Sequence, residues 1–153
     1  MEPIEILKED FAQTLDFIDK CDNHIFQIKN WAIATSSAII AFSISQNYDS
    51  LVFVNLLPLL AFLYLELVYK SFQDSAIAHA ADISQRIDKY LANTNVGDLL
   101  VKYNHGFGRK IQYPSVRRVF GILRNPDRGH FRNFYVLLIL ISVGAFFLGR
   151  SVN

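Results

Sequence analysis

Three stretches of the chain each run about 15 to 19 residues with almost no formal charge, close to the length of helix that crosses a bilayer core. Residues 31–45 read WAIATSSAIIAFSIS, residues 51–69 read LVFVNLLPLLAFLYLELVY, and residues 134–149 read FYVLLILISVGAFFLG. None places a polar residue at every second position, so the pattern is helical and does not suit a membrane β-barrel. The middle stretch carries Asn55, Pro58 and Glu66 and is the least regular. Pro58 is expected to kink it.

The segment before the first stretch is amphipathic. Ile4, Leu7, Phe11, Thr14, Ile18, Cys21, Ile25 and Ile28 repeat at three and four residues, which is one face of a helix. Pro3 suits a first turn, and Glu2, Glu5, Glu9 and Asp10 suit the positive end of a helix dipole. No breaker follows, so the spacing predicts one helix from residue 3 to about 46. This acidic start is not expected to be a signal peptide. Beyond residue 69 a second stripe, Ile77, Ala80, Ile83, Ile87 and Leu91, extends the middle helix to a stop at Asn93-Thr94-Asn95-Val96-Gly97.

The expected fold is an all-α membrane protein with three transmembrane helices, the first two extended into a cytoplasmic antiparallel helical stalk. It is read as a single domain, 1–153. The expected segments are a cytoplasmic helix 3–29, spans at 30–46, 51–69 and 133–149, an outside turn 47–50 and a cytoplasmic helix 70–93. A basic cytoplasmic return segment, 94–132, and an outside tail, 150–153, complete the chain.

Composition supports this reading. Hydrophobic residues make up 52% of the chain and charged residues 19%, below the quarter or so of a soluble domain. The mean hydropathy is +0.22. That argues against a soluble globular enzyme. The net charge of +1 conceals an asymmetry. The loop Asn47-Tyr48-Asp49-Ser50 has no Lys or Arg, whereas residues 70–132 hold eleven. The positive-inside rule then puts the N-terminus and residues 70–132 in the cytoplasm of a multi-pass protein. The bacterial inner membrane is the expected location.

The basic segment is the main candidate for ligand binding. From Lys102 to Arg132 there are eight Lys or Arg and one acid, Asp127. The candidate contacts are Lys102, Tyr103, His105, Arg109, Lys110, Tyr113, Arg117, Arg118, Arg124 and Arg128. Arginine forks match phosphate oxygens, and aromatic faces stack on bases. This composition suits a nucleotide or a short single-stranded nucleic acid. Basic residues beside a membrane also orient the chain and bind anionic lipid headgroups, which is the plainer explanation.

Thr35, Ser36, Ser43, Asn55 and Glu66 are the candidate pore-lining residues. Ser36 and Ser43 share a face, and Asn55 and Glu66, eleven apart, nearly do. Packing between helices is the more common explanation of the hydroxyls, and Ser37, Ala41 and Ser45 form a small-residue stripe suited to close helix contact. A local Glu66–Lys70 pair is expected. Three helices do not enclose an aqueous path alone, so conduction implies a homo-oligomeric ring.

Nothing predicts catalysis. His24, His79, His105 and His130 lack metal-ligand spacing, and the single cysteine excludes a disulfide within the chain. Arg124 and His130 are spaced loosely like the pair of the HEPN ribonucleases, but Pro126 and Gly129 fit that helix badly. No enzyme activity, cofactor or metal is expected.

The stalk with Phe11-Ala12-Gln13-Thr14-Leu15, the hairpin of residues 31–69 and the basic segment 109–132 together resemble, in layout, small membrane effectors of bacterial anti-phage defence. Among these the chain resembles the transmembrane effector of Hailong-type systems. The resemblance implies a signal-synthesising partner enzyme, a nucleotidyltransferase making a short DNA signal, and membrane depolarisation with growth arrest as the outcome. The expected function is a homo-oligomeric channel gated by an anionic nucleotide or oligonucleotide. The alternative is a non-conducting membrane adaptor or scaffold that docks a protein partner or anionic lipid.

The expected topology is open to a direct check by labelling. In a Cys21→Ser background, Ser50→Cys is expected to react with an impermeant maleimide on intact spheroplasts, and Asn104→Cys only after lysis. The reverse pattern would invert the orientation.

Overall fold

The computed structural model describes residues 3–46, 51–92, 115, 119, 121–122 and 129–152. Among them every regular element is a helix and none is a strand. The helices are α1 (Pro3–Gln46), α2 (Leu51–Val54), α3 (Leu56–Leu91) and α4 (Gly129–Val152). Val119, Gly121 and Ile122 are helical as well.

α1 runs unbroken through the junction between its amphipathic and apolar parts, as the absence of a breaker predicts. Its buried positions, Leu7, Asp10, Thr14, Cys21, Ile25, Ile28, Ala32, Ser36 and Ser43, stay three, four or seven apart. The inward stripe is therefore set by position, with hydroxyls and a carboxylate occupying it as well as hydrocarbons.

The middle helix is not continuous. It breaks at Asn55, between α2 and α3. Pro58 has no N–H for the carbonyl of Val54, and its ring crowds that carbonyl. The first main-chain bond across the break runs from Leu59 N–H to the Asn55 carbonyl, at 3.2 Å. The break thus sits three residues before the proline, and Pro58 lies in the first turn of α3, where a missing donor costs least.

The chain divides into two compact units, Met1–His24 with Tyr69–Ser115, and Ile25–Val68 with Val116–Asn153. In the first unit α1 and α3 run antiparallel. Asp10 meets His79, Asp22 accepts from Gln73, and His24 lies against Tyr69, so positions rise on one helix as they fall on the other. The stripe on α3 differs from the one its hydrocarbons suggest. Ile77 and Leu91 are exposed, and the buried positions are Ser71, Gln73, Ala76, His79, Ala80 and Ile83. Polar side chains paired across the interface take places that a search for apolar residues passes over. Burial pushes the Cys21 thiol up, reinforced by the negative charge of Asp22 and partly offset by Lys70. A buried, protonated thiol is unreactive.

In the second unit Ala32, Leu59, Tyr135 and Leu138 form a core shared by α1, α3 and α4, with Phe62, Leu63, Phe134 and Ile139 packed on it. Leu67, Val119 and Ile122 form another. Phe53 of α2 meets Phe146 of α4 edge-on, with ring centres 5.1 Å apart.

The revised stripe gives a prediction. Ile83→Ala is expected to cost about 2–4 kcal/mol by cavity formation. Ile77→Ala is expected to cost about 0.5 kcal/mol or less. Denaturant unfolding of the purified protein measures both.

Candidate functional site

The ten residues proposed from the sequence for ligand binding, Lys102, Tyr103, His105, Arg109, Lys110, Tyr113, Arg117, Arg118, Arg124 and Arg128, lie outside the described residues. The five proposed to line a pore lie within them. Ser36, Ser43, Asn55 and Glu66 are all buried, and Thr35 is half-buried. The four buried ones face the interior of a single chain.

Glu66 is the centre of this interior. It is 2% exposed. Its Oε1 lies 3.2 Å from Nζ of Lys29 on α1, and its Oε2 accepts a 2.9 Å hydrogen bond from the Tyr135 hydroxyl on α4. The Lys29 ammonium also sits 5.7 Å from the centre of the Phe134 ring, within cation–π range. The expected Glu66–Lys70 pair is thus replaced. Lys70, one turn on, donates to Gln73 instead. The reason is direction. Glu66 points into the unit, where a buried carboxylate gains more from a partner on another helix than an exposed i,i+4 pair supplies.

A second polar level lies at the helix break. Asn55, fully buried, donates from Nδ2 to Ser142 Oγ at 2.9 Å, and the Ser142 hydroxyl donates to the Leu138 carbonyl at 2.9 Å. Asn55 Oδ1 has no hydrogen-bond partner among the described residues.

The first unit holds a separate buried pair. His79 Nε2 lies 3.4 Å from Asp10 Oδ2, a contact that becomes an ion pair when the imidazole is protonated. Thr14 donates to the Asp10 carbonyl at 2.7 Å. Among the described residues no group of three or more His, Cys, Asp or Glu is placed to hold a metal ion.

Sequence reasoning missed Lys29, Tyr135, Ser142, Asp10 and His79. A signal for the first three existed. Lys29, Ser36 and Ser43 repeat at seven residues on one helix face, and so do Tyr135 and Ser142. Polar residues recurring at that interval in an apolar helix mark an inward face as hydrocarbons do in a soluble one.

Removing Lys29 strands the carboxylate. Lys29→Met is expected to destabilise the protein by about 2–3 kcal/mol, short of the full value for a buried pair because the Lys29 side chain is 33% exposed. Lys29→Met with Glu66→Gln together is expected to recover at least about half of that loss. Lys70→Ala is expected to cost under about 0.5 kcal/mol. Thermal unfolding of wild type and these three variants measures the losses. Comparison with family models, with curated proteins and with solved structures finds no match.

Proposed function

We propose that the second unit is the membrane part of an integral membrane protein, with spans at 30–46, 51–69 and 133–149. We propose further that the chain acts as a homo-oligomeric channel opened by an anionic nucleotide or short oligonucleotide at residues 102–132. The observation that carries the reading is inverted polarity. Among the described residues, the exposed large hydrophobics of the first unit are Ile6, Leu15, Ile77 and Leu91. Those of the second unit are far more numerous and include Phe42, Leu60 and Leu140, with Leu57 at 74% and Phe147 at 65%. Its buried side chains include Ser36, Ser43, Asn55, Glu66 and Ser142. In water this is the costly arrangement, because large contiguous apolar faces are left solvated. In hydrocarbon it is the stable one.

By length and composition, α3 is the one helix among the described residues that meets the requirement for a membrane span, and the 16-residue stretch Arg132–Phe147 is a shorter apolar helix. Only 28% of the apolar window in α3 is buried inside the chain. The core helix of a soluble protein would be mostly buried. Trp31, exposed and two residues after Lys29, suits an aromatic girdle at the cytoplasmic headgroups.

Assembly is supported by the small-residue stripe. Ser37, Ala41 and Ser45 are exposed, so among the described residues this face is not used for packing. It is free to meet α1 of another copy at close range. The basic segment supplies the sensing part of the proposal through its charge and aromatic content alone. As an anti-phage effector the channel would depolarise the membrane on receipt of a signal made by a partner enzyme.

Two measurements on the full chain test this. Alkaline carbonate washing is expected to leave the protein in the membrane fraction; release into the wash would end the membrane reading. Reconstituted liposomes are expected to show ion flux that rises about tenfold or more with one class of short oligonucleotide or cyclic nucleotide. Arg117→Glu with Arg118→Glu is expected to abolish that rise. An inserted oligomer that shows no flux with any ligand would favour the adaptor.

A further inference from the structure

The apolar surface of the second unit has an edge that three helices mark at one level. Lys29 meets Glu66, and Glu66 meets Tyr135, which fixes the heights of α1, α3 and α4 against each other. Two residues on from each, toward the end of α1 at Gln46, stand Trp31, Tyr64 and Leu137, all exposed. Trp31 and Tyr64 thus share one height on neighbouring helices, as aromatic side chains do at a headgroup boundary. On the other side of that level the exposed residues turn polar. They are Gln27 and Asn30 on α1, and Arg132 and Asn133 on α4. Phe26, also exposed, is separated from the apolar surface of α1 by Gln27 and Asn30.

The opposite edge is close. From Trp31 to the end of α1 at Gln46 the helix rises about 22 Å. From Tyr64 to the start of α2 at Leu51, and from Leu137 to Arg150 on α4, the rise is about 20 Å. At these ends the chain carries Asp49 and Arg150. A bilayer core is about 30 Å thick, so all three helices fall short of it by about 8 Å or more. Tilting would shorten the projected height further.

We propose that the partner of this apolar belt is a thin bilayer, and that a thicker one drives copies of the chain together. The inference rests on the membrane reading of the second unit and names what controls its assembly. Where lipid stands taller than the belt, either the acyl chains beside it are compressed or its polar edges are drawn into hydrocarbon. Either cost grows with the mismatch and with the length of boundary that protein shares with lipid. Contact between two copies removes boundary, so association is favoured more strongly as the bilayer thickens. An ordinary membrane then favours the assembled state.

The structure leaves few other ways to relieve the mismatch. A helix does not stretch, because its hydrogen bonds set its rise. Lys29 is tied to Glu66 and lies against Phe134, so the polar edge of α1 is joined to the other two helices and moves with them. The exposed face of Ser37, Ala41 and Ser45 lies within the belt and admits a second helix at close range. Its two hydroxyls gain packing and hydrogen-bond partners there that lipid tails do not offer.

The test uses the full chain, labelled at its N-terminus with donor or acceptor dye. It is reconstituted at equal density in vesicles of dimyristoleoyl, dioleoyl or dierucoyl phosphatidylcholine, which differ in thickness and share a headgroup. Carbonate washing of each preparation comes first. Release of the protein ends the membrane reading, and the proposal with it, before any energy transfer is read. For inserted protein, energy transfer is expected to report association about tenfold or more tighter in the thickest vesicles than in the thinnest. Gln27→Leu with Asn30→Leu joins Phe26 to Trp31 and lengthens the belt on α1 by about 7 Å. Both positions are exposed, so the interior is left as it is. In that variant the ratio is expected to fall to about threefold or less. Association equal in the three lipids, or tightest in the thinnest, overturns the proposal. So does a ratio that Gln27→Leu with Asn30→Leu leaves unchanged. No ion flux enters the measurement, so the channel reading stands or falls separately.

Discussion

Glu66 holds a charge where nearly every alternative to pairing is expensive. An isolated carboxylate in a low-dielectric interior loses hydration worth many kcal/mol, and even a relaxed site leaves a penalty of about several kcal/mol. The structure answers with one partner from each of the other long helices of its unit, Lys29 from α1 and Tyr135 from α4. Hydrocarbon contact between Ala32, Leu59 and Leu138 is non-directional and tolerates sliding. A carboxylate with two directed partners does not, because a shift by one residue would carry Lys29 or Tyr135 off the Glu66 face. The register of the three helices is in this sense written in one side chain.

The same constraint accounts for the polar interior as a whole. When the surroundings of a helix are apolar, burying a leucine gains little and burying a serine or asparagine gains a hydrogen bond. Ser142 uses its hydroxyl twice, donating to Leu138 and accepting from Asn55. Asn55 in turn sits where Pro58 has broken the helix, so a local defect in the main chain and a side-chain contact between helices occur at one place. On the membrane reading, irregular backbone persists where it is enclosed, and full burial of Asn55 meets that condition.

The first unit buries polar groups too, Thr14, Ser71 and Gln73 among them, beside the Asp10–His79 contact. Its charged pairs one turn apart, exposed Asp16–Lys20 and half-buried Asp82–Arg86, contribute little to stability. Asp10 and His79 meet inside the α1–α3 interface. A buried polar contact between two helices is a device that fixes their pairing at some cost in stability.

Much of the fold was legible before the structure. The unbroken α1, the helical character of every described element and the face that α1 turns inward follow from spacing and from the absence of a breaker. The rest depended on which atoms meet. Hydrocarbon periodicity misplaced the inward face of α3, because Gln73 and His79 are buried by partners on α1 that no local rule supplies. Proximity along the chain suggested Lys70 for Glu66, whereas Lys29, distant in sequence, takes the position. The candidate residues Ser36, Ser43, Asn55 and Glu66 were identifiable as polar residues in apolar helices, but their gathering inside one chain was not. Periodicity sets the face of a helix, since that follows from 3.6 residues per turn. The identity of the partner is set by the register and direction of neighbouring helices, and these exist only once the chain has folded.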